Sequence, residues 1–395
     1  MKKLLAMILT IGMIFTLASC GGDKTGKETK KETETKQETK KLDYKNMTED
    51  DLIKEFIKDE QNITLDEFID LVSTYSYATI NDKLELDENI TDKAIKKLKE
   101  NKAKLPAAKE FVEPLLKSEA PQVRGYAISN VGSLLGVSDS HIAAAKELLK
   151  TEKDPYVICC AVRALANEGG KDADIGAFLL NAAKNENSKV RKQAAMAIGS
   201  SWNKDLDGAV DAMITLMSDS DNDVRSKAYG YAGGLGDEKI IEPIVNMLNN
   251  PEDAELHGNG IDSLNKLWYD FPFHENTSEA AYRATMDYFK KTPRTKDVPS
   301  WTAVNSLKNK NDSHYEEWRA KATYFNADEF AQIMTDIIKD TNANGFARSG
   351  AVENIAAHCS KETFDSLAAV IDGLTDKDAK DIQDKYKIQA EKLNQ

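Results

Sequence analysis

Five segments of this sequence repeat one frame. A branched apolar residue is followed by a small residue four positions later and by an apolar or small residue eight positions later. The branched residues, called anchors below, are Val123, Val157, Val190, Val224 and Leu256, and they are spaced 34, 33, 34 and 32 residues apart. Offsets of four and eight lie on one stripe of an α-helix, and the small residue lets a second helix approach closely. The frame therefore predicts one amphipathic helix in each period.

A second amphipathic segment precedes each of four framed helices. These segments read HIAAAKELLK at 141, IGAFLLNAAKN at 175, AVDAMITLMSD at 209 and IIEPIVNMLNN at 240, and each ends in a polar turn. Two helices per period are typical of an α-solenoid, in which no unit can bury its apolar face alone. The predicted fold class is all-α, a right-handed superhelix of helix pairs.

The frame resembles the HEAT repeat, in the short bacterial form related to the HEAT-like repeats of phycobilin lyases. The resemblance is good over residues 107–268, and it weakens where WTAVNSLKN at 301 and FARSGAVENIA at 346 keep a helix at longer spacing. In that family an Asp in the turn and the Arg after the Val form a ladder between successive repeats. The resemblance places four arginines in this ladder, Arg124, Arg191, Arg225 and Arg348, and predicts breaks at Ile158 and His257.

The turn before Val224 carries Asp219, Asp221 and Asp223 in the alternation of an EF-hand calcium loop. Such a loop also needs Gly at its sixth position and a bidentate Glu at its twelfth. Val224 and Gly230 occupy those positions. We therefore expect no calcium site, and we expect Asp221 or Asp223 to cap the helix that Val224 begins.

The N-terminus predicts the cellular compartment. Lys2 and Lys3 precede a mainly apolar run of fourteen residues, fewer than the roughly 20 that span a bilayer, so the segment is typical of a signal peptide. The tetrapeptide Leu-Ala-Ser-Cys ending at Cys20, followed by Gly21, resembles the lipobox of bacterial lipoproteins. That resemblance implies a diacylglyceryl group on Cys20 and a membrane contact through this anchor, at the outer membrane or cell surface, with the periplasmic face as the alternative. An ordinary secretory signal is the other interpretation of the segment.

The segments on either side of the repeats are predicted to be a tether and two capping regions. GGDKTGKETKKETETKQETKK, residues 21–41, holds no aromatic or branched aliphatic residue, which is typical of a disordered tether. Thr48 and Thr64 each precede an acid by three residues, as helix starts do. The predicted organisation is a signal peptide over 1–19, a lipidated tether over 20–46, an N-terminal cap over 47–106, the repeats over 107–374 and a capping helix over 375–395.

The formal net charge of −13 bears on the choice of partner. Such a surface repels nucleic acid and anionic lipid at long range, and it favours a basic partner. We expect a monomer that binds a protein and no nucleic acid.

Motifs of catalysis and metal binding are missing from the sequence. None of its five histidines has a partner at the spacing of a helical zinc site, and no Gly-x-Ser-x-Gly, phosphate loop or Cys-x-x-Cys occurs. Cys159, Cys160 and Cys359 remain after Cys20, and we expect buried free thiols. The sequence therefore predicts no enzyme, no cofactor and no metal.

Two sets of residues are candidates for partner binding. In HEAT proteins the second helix of each repeat faces the partner, and the solvent positions there include Tyr126, Arg163, Lys192, Lys227 and Asn259. The other set lies in LWYDFPFHE, residues 267–275, where the period lengthens to about 43 residues; such insertions are often binding loops. Tyr269 and Phe273, with His274, are predicted as exposed anchors of the partner and Trp268 as core.

The predicted function is a non-enzymatic, lipid-anchored envelope scaffold that binds a protein partner. One alternative is an enzyme or a ligand or chromophore carrier whose site forms only in three dimensions. Another is an envelope assembly factor that binds wall polymer.

Overall fold

The structure is a computed structural model. It describes residues 139–269, 277–299, 301–307 and 312–394, together with several positions between 116 and 129. The chain divides into two compact units, Met1–Ala164 and Leu165–Gln395. The predicted signal peptide, tether and N-terminal cap lie outside the described residues. None of the helices within those ranges is long and apolar enough to cross a bilayer.

The described chain is all-α, as the sequence predicted, and its only β feature is an isolated bridge between Thr295 and Val298. In the first unit, α1 spans Asp139–Leu149 and α2 spans Pro155–Ala164. Proline suits the first position of α2 because the missing N–H would have no partner within the helix. The side chain of Asp154 accepts the next backbone N–H groups, from Tyr156 and Val157.

Three helix pairs of the second unit follow the predicted frame. Their elements are α3 (Ala173–Ala182), α4 (Ser188–Ile198), α5 (Ala209–Leu216), α6 (Asn222–Tyr231), α7 (Ile241–Leu248) and α8 (His257–Trp268). Short 3-10 segments occur in the connections, among them Ser201–Asn203, Ala232–Leu235 and Pro251–Leu256.

The remaining elements are less regular in length. They are α9 (Glu279–Lys291), α10 (Trp301–Asn305), α11 (Asp312–Lys321), α12 (Ala327–Lys339), α13 (Gly345–His358), α14 (Lys361–Asp365), α15 (Ala368–Asp372) and α16 (Ala379–Leu393). The predicted C-terminal helix is α16, and it packs against α13.

Residues of the repeat frame form the core of each unit. The anchors Val157, Val190, Val224 and Leu256 are at most 2% exposed. The small residue of the fifth repeat faces the paired helix: a Cβ at Gly260 would lie 2.5 Å from the end of the Met247 side chain on α7. The periodic pattern thus reports the contact between paired helices correctly.

Polar turns set the helix starts. Asn187 accepts the backbone N–H of Lys189, and Asp221 accepts that of Asp223, each at 2.9 Å. These side chains satisfy N–H groups that have no partner inside the helix. Asp221 is therefore the cap of α6 that the sequence predicted.

Helices of the second unit lie in two layers. The second helices of the repeats, α4, α6, α8, α10, α13 and α16, each pack against the next and form what we call the second-helix row. The first helices, α3, α5, α7, α9 and α12, each pack against a member of that row. The handedness of the predicted superhelix stays a prediction.

An aromatic core lies beneath the less regular part. Trp268 is 2% exposed and contacts Tyr282, Trp318 and Phe325, with ring centroids 5.2, 5.8 and 6.4 Å away. Its Nε1–H donates to Asn265 Oδ1 at 3.1 Å and to a threonine hydroxyl on α9 at 3.2 Å. Helix α11, which follows α10 in the chain, supplies Trp318 to this core.

Candidate functional site: the surface of the second-helix row

Arg191 on α4 connects the turn of its own repeat to the turn of the next. Its Nε and Nη2 donate to the two carboxylate oxygens of Asp219 at 2.7 and 2.8 Å. Its Nη1 donates to the carbonyl oxygens of Asn185 and Glu186, each at 2.9 Å. The hydrogen bond from Arg191 lowers the pKa of Asp219. A bidentate charge-assisted pair fixes both groups in direction, so it sets the spacing of the two turns.

Two other predicted ladder arginines also donate two hydrogen bonds to a carboxylate 28 residues later. In the first unit, Arg124 donates to both oxygens of Glu152 at 2.7 and 3.1 Å. In the second unit, Arg348 donates to both oxygens of Asp376 at 2.7 and 2.9 Å. Arg348 is fully buried, and its hydrogen bond lowers the pKa of Asp376 to about 2.

Arg225 does not take part in the ladder, so this assignment was wrong. Its Nη1 donates to the Asp219 carbonyl at 3.0 Å and its Nη2 to Asn222 Oδ1 at 2.8 Å, both in its own turn. The carboxylate 28 residues later, Asp253, accepts from Asn250 at 2.7 Å instead. Asp253 lies in a 3-10 segment with φ −97° and ψ 15°. The ladder is therefore broken at Arg225, because both the arginine and this carboxylate bond within their own turns.

The three aspartates that resemble a calcium loop each serve the repeat. Asp219 accepts from Arg191 and from the backbone N–H of Asp221. Asp221 caps α6, and Asp223 pairs with Lys192 of α4 at 2.9 Å. The alternation therefore reflects a ladder contact, a cap and a contact between neighbouring helices.

Two of the predicted solvent positions on the second helices bond a side chain of a neighbouring helix. Lys192 pairs with Asp223, and Asn259 Nδ2 donates to Ser226 Oγ at 2.8 Å, so each contact joins neighbouring helices of the row. Lys227 is half-buried on α6. In the first unit Arg163 is exposed on α2, with Nη2 3.5 Å from the Cys160 sulfur, and the side chain of Tyr126 lies outside the described residues. Within the second unit, Lys192, Lys227 and Asn259 lie on three successive helices of the row.

The predicted anchor Tyr269 is buried, which corrects the prediction that it is exposed. It is 8% exposed, and its ring meets the edges of Trp318 and His358 at centroid distances of 5.1 and 5.0 Å. Trp268 is core, as predicted. Phe273 and His274 lie outside the described residues.

Exposed aromatic residues occur instead at two neighbouring corners of the second unit. One corner is the turn that follows α4, and the other is the C-terminal end of α6. Trp202 is 52% exposed and Tyr231 is 36% exposed. A Cβ at Gly199 would lie 2.7 Å from Tyr231 Cβ, so the glycine lets the two corners approach. Lys171 Nζ lies 5.2 Å from the Trp202 ring centroid, and Lys266 Nζ lies 5.6 Å from that of Tyr231. We call Trp202, Tyr231, Lys171 and Lys266 the aromatic corner.

Asn203 holds the turn that carries Trp202. Asn203 is fully buried, and its Nδ2 donates to the carbonyl oxygens of Ala166 and Ala197 at 2.7 Å each. Its Oδ1 accepts the backbone N–H of Gly170 at 2.9 Å. A side chain with these three bonds fixes the corner, so Trp202 is presented on a rigid support.

A polar cleft of about 470 Å³ lies where α10, α13 and α16 meet, and we call it the α13 cleft. Its lining comprises Lys296, Asn305, Thr341, Asn342, Ala343, Asn344, Gly345, Phe346, Ser349, Gly350, Glu353, Lys377, Asp378, Asp381 and Lys385. Phe346 is 74% exposed. Asn344 caps α13 by accepting the backbone N–H of Phe346 at 2.8 Å, which fixes where the ring emerges.

Sequence reasoning missed Phe346, although a signal was present. Phe346 directly precedes Ala347, at the anchor position, and Arg348, at the ladder position. In three earlier repeats the residue directly before the anchor is Lys189, Asp223 or Glu255. Tyr156 holds the same position before the anchor Val157 and is only 3% exposed, so an aromatic residue there does not by itself mark an exposed ring. Comparing the repeats would have singled out Phe346 without deciding its exposure.

Reactive groups are few in the described part of the chain. No group of three or more His, Cys, Asp or Glu residues could hold a metal ion there. Cys159 and Cys160 are buried free thiols, as expected, whereas Cys359 is half-buried. Burial raises the pKa of Cys359 to about 12, which disfavours the nucleophilic thiolate.

Comparisons with known proteins identify the repeats. A family profile described as HEAT repeats matches residues 176–265. No curated protein matches the sequence. Similar solved structures include the complex of CpcE and CpcF of phycocyanin lyase from Nostoc sp. PCC7120, at 14% identity, covering 71% of this chain and 94% of that chain with a TM-score of 0.37.

Two further structures are of similar likeness. An engineered protein shows 15% identity over 87% of this chain and 99% of its own, with a TM-score of 0.39. A structure of Kap95p bound to RanGDP shows 14% identity over 87% of this chain and 53% of its own, with a TM-score of 0.41.

Proposed function

We propose that this chain, whose residues 176–265 match a HEAT-repeat profile, is a non-enzymatic scaffold, anchored by lipid to the bacterial cell envelope, which binds a protein partner. The Leu-Ala-Ser-Cys sequence ending at Cys20 and the polar segment after it support the anchor. The scaffold is a monomer, and the partner supplies the complementary surface.

The aromatic corner is the observation that carries this proposal. Trp and Tyr are enriched among the few residues that contribute most of the energy of protein interfaces. Trp202 and Tyr231 are exposed on neighbouring corners, and buried Asn203 fixes the turn of the first. A ring on a fixed turn requires less ordering of the backbone on binding, so more of the contact energy appears as affinity.

Charge favours a basic partner. The chain carries a formal net charge of −13, which steers cationic proteins towards it at long range. Close to the corner, Lys171 lies 3.3 Å from Glu168 and Lys266 lies 2.8 Å from Asp262, so neighbouring carboxylates offset the two lysines. The two lysines of the aromatic corner therefore do not repel the basic partner that the net charge of the whole molecule attracts.

The test is affinity capture from detergent-solubilised envelopes with the full-length protein. We expect a stoichiometric protein partner that copurifies with the wild type and is lost from Trp202→Ala and Tyr231→Ala. Trp301→Ala is the matched control, because Trp301 is also 52% exposed but lies on α10. A partner retained by both corner variants would contradict the site, and a coloured or metal-bearing purified protein without a partner would favour the carrier or enzyme alternative.

A further inference from the structure

The α13 cleft has a volume of about 470 Å³, within the roughly 300–1,000 Å³ range of small-ligand sites. It lies on other elements than the aromatic corner, so its role is independent of the protein partner proposed above. Its lining is a specific mixture of amides, hydroxyls, balanced charges and one exposed ring. That mixture restricts the class of ligand.

Apolar ligands do not fit this lining. Sites for drug-like or chromophore ligands are lined mainly by hydrophobic and aromatic side chains, and a docked amphipathic helix needs a hydrophobic groove. The α13 cleft presents Asn305, Thr341, Asn342 and Ser349, with Phe346 as its one aromatic side chain. Burying an apolar ligand there would leave these polar groups without hydrogen bonds.

Strongly charged ligands do not fit either, because three lysines and three carboxylates line the cleft. Lys385 pairs with Glu353 at 3.1 Å, and Asp378 lies 3.6 Å from the buried Arg348. An anion bound at the lysines would meet the carboxylates of the same cleft. A cation would meet the lysines.

Phe346 adds a flat apolar surface beside the hydrogen-bonding groups. The ring is 74% exposed, and its backbone N–H is held by the Asn344 cap. A pyranose ring has the complementary shape and chemistry: C–H groups on one face stack on an aromatic ring, while its hydroxyls bond amides and carboxylates around the edge.

We propose that the α13 cleft binds a neutral saccharide, with a sugar ring stacked on Phe346 and its hydroxyls bonded by the amide and hydroxyl side chains of the lining. An acetamido substituent would find the same donors and acceptors as a hydroxyl. The chemistry fits a segment of glycan as well as a free oligosaccharide.

Saturation-transfer NMR and calorimetric titration of the full-length protein test this with two probes. Chitotriose carries acetamido groups and cellotriose carries hydroxyls alone. We expect at least one of them to bind, Phe346→Ala to weaken that binding by about five- to tenfold, and Phe346→Tyr to preserve it. Trp202→Ala, which removes an exposed ring outside the cleft, should leave the affinity unchanged.

Three results would overturn the proposal. One is the absence of binding by both trisaccharides at millimolar concentration. Another is binding that Phe346→Ala does not weaken, since the sugar would then lie elsewhere. The third is binding of a trialanine probe with the same dependence on Phe346 while neither sugar binds, which would identify the cleft as a peptide site. Unchanged thermal unfolding of Phe346→Ala shows that a lost signal is not a folding defect.

Discussion

At the residue scale, aromatic side chains of this protein have two opposite environments. Trp268 is 2% exposed and its indole N–H has two hydrogen-bond partners, whereas Phe346 is 74% exposed on the first turn of α13. A buried ring contributes to folding through the contacts it fills. An exposed ring contributes little to folding and is available to a ligand.

Alanine substitutions should separate these two roles. Trp268→Ala removes a large ring from a packed core and should lower the free energy of unfolding by about 3 to 5 kcal/mol. Phe346→Ala should change it by no more than about 0.5 kcal/mol. Urea unfolding followed by circular dichroism measures both. Equal destabilisation by the two variants would show that Phe346 is packed against the protein.

The contrast with Tyr269 shows what the sequence could not reveal. Tyr269 and Trp268 are adjacent in an aromatic-rich stretch, so the local pattern is equally typical of a binding loop and of a core. Trp318 decides between them, and it lies about fifty residues later on α11. Hydrophobic periodicity reports contacts within a repeat, and it does not report one made between distant elements.

At the scale of helices and turns, the arginine ladder depends on turn conformation as much as on sequence. Arg191 and Arg348 meet carboxylates 28 residues later, whereas Arg225 does not meet Asp253. The helix pairs up to Trp268 could be predicted because their anchors recur at 32 to 34 residues. Among the later elements, the helices at 301 and 346 and the C-terminal helix could also be predicted, whereas α11 could not, because it is an additional helix outside the repeat frame.

Acid should weaken the second unit through the ion pair between Arg348 and Asp376. The hydrogen bond from Arg348 lowers the pKa of Asp376 from its ordinary 3.8 to about 2. The depressed pKa means that the stabilisation is complete above about pH 4 and is lost as the pH falls towards 2. The Asp376→Asn variant has no carboxyl group to titrate at this position. Its melting temperature should therefore be lower than that of the wild type at neutral pH and should fall less steeply between about pH 4 and 2.

Asp211→Asn, on the exposed face of α5, serves as the matched control for Asp376→Asn. It should follow the acid dependence of the wild type. Thermal unfolding at several pH values measures all three proteins. If Asp376→Asn loses as much stability in acid as the wild type, the pair does not contribute to the acid dependence.

At the scale of the whole molecule, the proposed role depends on where the acidic repeat domain is held. A net charge of −13 does not favour contact with anionic lipid, so adsorption of the folded part is a weak means of retention. Two acyl chains on one residue give stable anchoring, whereas a single chain gives only marginal binding. In the proposed arrangement, Cys20 is therefore the residue on which the location depends.

Cys20→Ala should move the protein from the membrane to the soluble fraction. The apolar run before it has fourteen residues, short of the roughly 20 needed to span a bilayer, so the lost lipid would not be replaced by a membrane helix. Cys359→Ala, which changes a half-buried thiol in the repeat domain, is the matched control and should stay with the membrane. Fractionation reports the location, and mass spectrometry of the wild-type N-terminus reports the diacylglyceryl group. Full retention of Cys20→Ala in the membrane fraction, or a mature wild-type chain without lipid on Cys20, would show that another feature holds the protein at the envelope.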